Sequence, residues 1–426
     1  MGTRFKPGWG NLFDCLVYSE QEEIQRARNN LATDIYFARL AIENSESFKQ
    51  KTGKTEINSG QFQRFLEQKP QVNSFFHSDF ARLASLPLQE LEELVEEVKP
   101  NTLIQARLFT NSICEAECKE CYTNKRLFPG QDDITALTLE ESVEYLRQAK
   151  ELGARVLYVA GRGEPLQDKK FLPLLRKVTD MGYESFFFTN GILLSNDVLA
   201  RQVWGISCEE IIDFLVEIKA NIYHKFWSLD KVKFTNMMNL TGRPFQQMNF
   251  VEEVLGGQKI HLPRGLALHL ERGDINHIGV ECRVGTDTYQ EVKDVIIPWI
   301  EKTGVRSYVE PQITSGRGFN QCQLQCPPEQ LADERIAKYL VRGDCRLTTY
   351  IATVMEEGTM SFCLSVESEK IKRYFDPTGE LNIRDQTGIR DIYTIMHTHP
   401  FIVGNKYSWQ GCRCQRINEE MRKDRK

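Results

Sequence analysis

Cys114-Glu-Ala-Glu-Cys118-Lys-Glu-Cys121 sets three thiols at the spacing C-x3-C-x2-C, in a loop that follows an apolar run. A cubane iron–sulfur cluster ordinarily takes four thiolates. Three would leave one iron without a protein ligand, and an open coordination position is what lets a metal centre react with a small molecule. The same spacing also fits a zinc site whose fourth ligand lies elsewhere, or cysteines that are neighbours in sequence alone. A second group lies downstream, where Cys345 is followed by twelve residues and then Gly358-Thr-Met-Ser-Phe-Cys363, with Cys412-Arg-Cys414 farther on. A hairpin turning at Glu356-Glu357-Gly358 would bring distant thiols together. Four thiolates there would close a further cluster, or would staple a zinc ribbon. Cys322 and Cys326 lie between the two groups and could be alternative ligands or a separate redox pair. The default for Cys15, Cys208 and Cys282 is a small buried hydrophobe.

The elements that must position these thiols alternate in type from about residue 101. Residues 103–110 read as a strand, followed by the cysteine loop and a helix over 138–152. An apolar strand over 155–160, a helix near 169–181, and strands over 185–188, 214–218, 277–284 and 307–309 complete the series. Strands separated by helices imply right-handed βαβ units and a parallel sheet, with chemistry at the carboxyl ends of the strands. Val159-Ala-Gly161-Arg-Gly163-Glu164-Pro165-Leu166 follows the second strand, and Phe188-Thr189-Asn190-Gly191 ends the third. Glycines in such a loop let the backbone approach a ligand closely. Before residue 101 the pattern is helical, with amphipathic stretches over 24–42 and 86–98, the second ending ahead of Pro100.

On these residues the chain resembles the radical S-adenosylmethionine (SAM) superfamily, whose signature is C-x3-C-x2-C after the first strand of a βα barrel. Glu120 stands where the family has an aromatic residue, and Tyr122 follows the third cysteine instead. The Gly161-x-Gly163-Glu164 loop resembles the family's Gly-Gly-Glu motif, and Thr189-Asn190-Gly191 its turn near the cofactor. The segments 219–230 and 240–242 loosely resemble the stretch after the fourth strand. Glu281-Cys282-Arg283 on the fifth expected strand offers Arg283 for the methionine carboxylate, or only a surface charge. C-x12-G-x4-C resembles the auxiliary-cluster signature of SPASM and twitch domains, with a single cluster of twitch type expected.

The resemblance covers about 101–318 and implies an α/β fold, a partial (β/α)6 barrel over 101–320. A helical extension over 1–100 and a small α+β auxiliary-cluster domain over 321–426 would flank it. It implies a 4Fe-4S cluster on Cys114, Cys118 and Cys121, with SAM held near Gly161, Gly163, Glu164, Asn190 and Arg283. Cys345, Cys363, Cys412 and Cys414 would hold an auxiliary 4Fe-4S cluster. Flavodoxin or ferredoxin would deliver one electron, SAM would be cleaved to a 5′-deoxyadenosyl radical, and that radical would take hydrogen from a peptide or a small metabolite such as an amino sugar. Glu310, Tyr308 and Cys282 are candidates for proton transfer to substrate. A zinc-stapled binding protein and an iron–sulfur electron carrier are the rival readings.

The bulk properties agree with a folded protein rather than a disordered one. The chain has 426 residues, 41% of them hydrophobic and 27% charged, enough for one large core with smaller units beside it. A formal net charge of -5 argues against wrapping nucleic acid, which needs concentrated basic surface. The first residues lack the apolar stretch of a signal peptide and no window reaches the length of a membrane span, so a cytosolic protein with reduced thiols is expected. Twelve cysteines in that compartment are better explained as metal ligands than as disulfides.

Overall fold

Apolar runs bounded by turn residues form a predominantly parallel sheet in the computed structural model. It describes residues 103–121, 136–240, 248–311, 327–339 and 351–361, apart from single positions within them, together with 382–384 and 389. The extension expected over 1–100, and Cys322, Cys326, Cys345, Cys363, Cys412 and Cys414, lie outside the described residues.

Six strands run parallel: β1 (Gln105–Leu108), β2 (Val156–Val159), β3 (Glu184–Thr189), β4 (Asn221–Lys225), β7 (Ile278–Val284) and β8 (Arg306–Pro311). Helices α1 (Leu139–Glu151), α2 (Phe171–Asp180), α3 (Asp197–Trp204), α4 (Cys208–Glu217) and α5 (Lys231–Met237) fill the crossovers as far as residue 237. After α5 a two-stranded hairpin of β5 (Phe250–Leu255) and β6 (Gln258–Pro263) leads into α6 (Arg264–Arg272). The expected α/β architecture, a partial (β/α)6 barrel, is the one found.

The parallel sheet continues past β1 into β9 (Ile351–Val354), which pairs in parallel with β1, and β10 (Met360–Ser361), antiparallel to β9. Gly358, at φ +87, turns this hairpin where the sequence placed the turn, and its N–H reaches the Met355 carbonyl.

The strands sort their side chains by alternation. Phe187 faces the helices and meets Phe171 of α2 at a centroid distance of 5.0 Å. Phe186 and Phe188 face the other way and pack with Val156, Tyr158, Tyr223 and Tyr308 into a largely aromatic group built, among the described residues, from strands alone. Cys282 belongs to the helix side, fully buried among Val280, Val284 and Ile297, so it does not line the interior.

One expected strand is not there. Residues 214–218 form the end of α4 and its cap, and the fourth strand is Asn221–Lys225. The reason is local: the Ser207 hydroxyl accepts from the Glu210 N–H and the Glu210 carboxylate accepts from the Ser207 N–H, a capping box that starts a helix. Ile211, Ile212 and Leu215 then share its buried face. A short, largely apolar run such as Phe214-Leu-Val-Glu-Ile218 cannot by itself distinguish strand from buried helix.

Candidate active site

The carboxyl ends of β1, β2 and β3 bring three loops together. The cysteine loop leaves β1 through buried Thr110 and Asn111. Asn111 turns it by accepting from the Ile113 N–H on Oδ1 at 2.8 Å. The glycine loop after β2 is laced to it by two backbone bonds, from the Gly163 N–H to the Asn111 carbonyl (3.1 Å) and from the Glu164 N–H to the Ile113 carbonyl (2.7 Å). The fit leaves no space for a side chain at Gly163, where a Cβ would stand 2.2 Å from Asn111 Oδ1 and 2.4 Å from the Ile113 carbonyl oxygen. At Gly161 the nearest atoms to such a Cβ are 3.5 Å away, an ordinary contact. The far side of the cysteine loop is pinned to the end of α5, the Glu117 and Lys119 N–H groups donating to the carbonyls of Met238 and Met237.

Glu164 sits at the centre, only 3% exposed. Its Oε1 accepts from the Thr189 hydroxyl at 2.8 Å and its Oε2 from the Asn190 N–H at 2.7 Å, while the Leu166 N–H donates to Oε1 at 3.3 Å. Burial pushes its pKa up to about 8, aided by the nearby Glu115 carboxylate and opposed by these donors. Asn190 joins the two halves of the site, since its N–H binds Glu164 while its side-chain amide lies 3.9 Å from Cys114 Sγ. Burial, then the charges of Glu115, Cys118 and Glu164, push the Cys114 thiol well up. Its environment favours a cation, which would reverse that effect by binding the thiolate.

Cys114, Cys118 and Cys121 are all partly exposed thiols around this loop. Among the described residues no three His, Cys, Asp or Glu side chains converge closely enough to share one metal ion. A cubane does not require that, because each thiolate bonds a different iron.

Comparison with solved structures gives the fold independently. The chain superposes on Streptococcus suis SuiB bound to precursor peptide SuiA with a TM-score of 0.53 and 14% identity, over 78% of this chain and 77% of that one. With SuiB bound to S-adenosylmethionine the TM-score is 0.50 and the identity 16%, over 88% and 86%. The chain therefore shares the fold of SuiB. The sequence matches no family model and no curated protein.

Within this fold a second polar group occupies the ends of β4, β7 and β8. Lys225 Nζ meets Glu281 Oε1 at 2.8 Å, and Arg283 Nε meets Glu310 Oε1 at 2.8 Å, with Arg283 Nη2 3.8 Å from Glu281 Oε1. Arg283 is 4% exposed, so it is a buried, paired cation rather than a surface charge. Burial raises the Glu310 pKa, partly offset by Arg283. Tyr308 faces the aromatic interior beside Phe188, at 5.4 Å between centroids. Burial pushes the Cys282 thiol up as well, which suits an inert core residue.

Sequence reading gave no role to Asn111, Lys225 or Glu281. The signal for Glu281 was alternation, since Glu281 and Arg283 stand two apart between the apolar Val280, Cys282 and Val284 of β7. Lys225 becomes readable as a site residue only once β4 is placed at Asn221–Lys225.

Proposed function

We propose that this chain is a radical SAM enzyme that removes hydrogen from a carbon of a peptide substrate. The single observation that carries the reading is Asn190, whose backbone binds Glu164 and whose side chain lies against Cys114, so that the carboxylate and the thiol serve one ligand. Cys114, Cys118 and Cys121 would hold a 4Fe-4S cluster and leave one iron open. Glu164 is a buried carboxylate with donors already on both oxygens, and the methionine ammonium of SAM is the cation that would favour its ionised form. Gly161 and Gly163 let the backbone lie close to that ligand, and Asn190 positions Glu164. When bound, the cluster and SAM supply reductive carbon–sulfur cleavage and hydrogen-atom abstraction.

The chain's own contribution is then to bind, orient and exclude water. The aromatic interior of Tyr158, Phe188, Tyr223 and Tyr308 closes the barrel beneath the site, and the ion pairs of Lys225, Glu281, Arg283 and Glu310 line its substrate end. Arg283 is our candidate for a carboxylate contact, made while Glu310 holds its Nε. Cys345, Cys363, Cys412 and Cys414 would hold an auxiliary 4Fe-4S cluster, and flavodoxin or ferredoxin would supply the electron. A peptide is favoured over an amino sugar because SuiB, described as bound to its precursor peptide, shares the fold across 77% of its length.

Anaerobic reconstitution followed by electron paramagnetic resonance of the reduced protein tests this. A reduced-cluster spectrum that shifts on adding SAM is expected. A protein that takes up zinc without iron, or a spectrum indifferent to SAM, would overturn the reading.

A further inference from the structure

The ion pairs at the ends of β4, β7 and β8 leave two buried polar atoms with no hydrogen-bond partner among the described residues. One is Glu281 Oε2, on a residue 5% exposed, and the other is Trp227 Nε1, on a residue 4% exposed. They border the same cations: the Trp227 ring lies 5.5 Å from Lys225 Nζ and 5.7 Å from the Arg283 guanidinium carbon, and both cations approach Glu281 Oε1. An indole N–H only donates and a carboxylate oxygen only accepts. Buried polar atoms without partners are uncommon enough to require an explanation, and a ligand is one.

The pair of atoms describes that ligand. It must accept from Trp227 and donate to Glu281. Two cations and two carboxylates already balance here, so a group that reaches only Trp227 Nε1 and Glu281 Oε2 is best accommodated without a charge of its own. The two atoms also come from different elements, β7 and the segment after β4. An amide, with its acceptor and donor on separate atoms of a rigid unit, can meet both, whereas a single hydroxyl must bring both contacts onto one oxygen. We propose that Trp227 Nε1 and Glu281 Oε2 form a subsite for an uncharged amide, the backbone of a peptide substrate, at the carboxyl end of the barrel. The proposal rests on the radical SAM reading only for the claim that substrate sits there.

The test uses the full chain, reconstituted anaerobically, with 5-fluorotryptophan in place of its five tryptophans. Fluorine resonances are followed during titration with N-methylacetamide, methylammonium and methyl glucoside, and Trp227→Phe assigns the signal. The Trp227 resonance should move saturably with the amide and not with the other two. Glu281→Gln, which alters the acceptor while keeping the shape, should weaken that response at least about tenfold and leave the other resonances in place. No response at Trp227, an equal response to the glucoside or to methylammonium, or a response unchanged by Glu281→Gln would each overturn the subsite. SAM cleavage measured on the same samples reports separately: cleavage without a Trp227 response defeats the subsite alone, and a response without cleavage defeats the radical SAM reading alone.

Discussion

Glu164 is a carboxylate held where its charge is unfavourable without a cation. Its folded pKa is raised to about 8, above the unfolded value of about 4.5. The sign follows: the stability it contributes is fully present below about pH 4.5 and is lost as pH rises toward about 8, at roughly 1.4 kcal/mol per pH unit for one proton. Melts of the metal-free protein at pH 5 and pH 8 should therefore show Glu164→Gln gaining on the parent chain as pH rises. A pH-independent difference would contradict this. In the reconstituted protein the same substitution should weaken SAM binding by about ten- to a hundredfold by equilibrium dialysis, because a neutral amide replaces a charge-assisted contact. The residue was legible from its motif, but its coupling to Cys114 was not: that depends on Asn190 reaching across from another strand, and spacing does not report such contacts.

Loops and helices carry two further expectations. Gly163 is tight against two atoms of the cysteine loop and Gly161 is not. Gly163→Ala should cost roughly 1–3 kcal/mol and displace Glu164, whereas Gly161→Ala should stay within about 0.5 kcal/mol by thermal melt. Equal effects would show that the loops are not packed as described. Behind β4, His224 Nε2 lies 3.1 Å from Nδ1 of His269 on α6, and both rings are buried. Burial lowers both pKa values, that of His269 to about 3, with proximity to His269 lowering His224 further. Neutral histidines contribute stability that is present above about pH 6.5 and lost as pH falls below it. Between pH 6.5 and pH 5 the chain should lose stability faster than its His269→Phe variant, by about one proton's worth of slope; parallel curves would refute this. At this scale the sequence announced the strand–helix alternation and the turn at Gly358, because periodicity and turn chemistry are local. It misassigned 214–218 because the Ser207–Glu210 capping box, four to seven residues upstream, decides that segment. The β5–β6 hairpin and its Gly256-Gly257 turn, both glycines at positive φ, were written in the residues but not recognised.

Across the whole molecule, the sheet joins residues far apart in sequence, since β9 at 351–354 pairs with β1 at 105–108. The boundary expected near 320 marks where clustered cysteines and shorter elements begin, which are local features, whereas the β1–β9 pairing is non-local by nature. That pairing sets β9, which lies between Cys345 and Cys363 in sequence, against the first strand of the barrel. Iron analysis should find about eight irons per reconstituted chain, falling to about four when Cys114, Cys118 and Cys121 are changed to Ala. Changing Cys345 and Cys363 instead should remove only the auxiliary irons and spare the SAM-sensitive spectrum. SAM cleavage at the Cys114–Glu164 site is the reaction proposed for this barrel. Its most direct test is the yield of 5′-deoxyadenosine from reconstituted protein, SAM and dithionite under strict anaerobiosis. The parent chain should yield deoxyadenosine and the Cys114, Cys118, Cys121 triple variant none; no product from the iron-loaded parent chain, or equal product from both, would overturn the assignment.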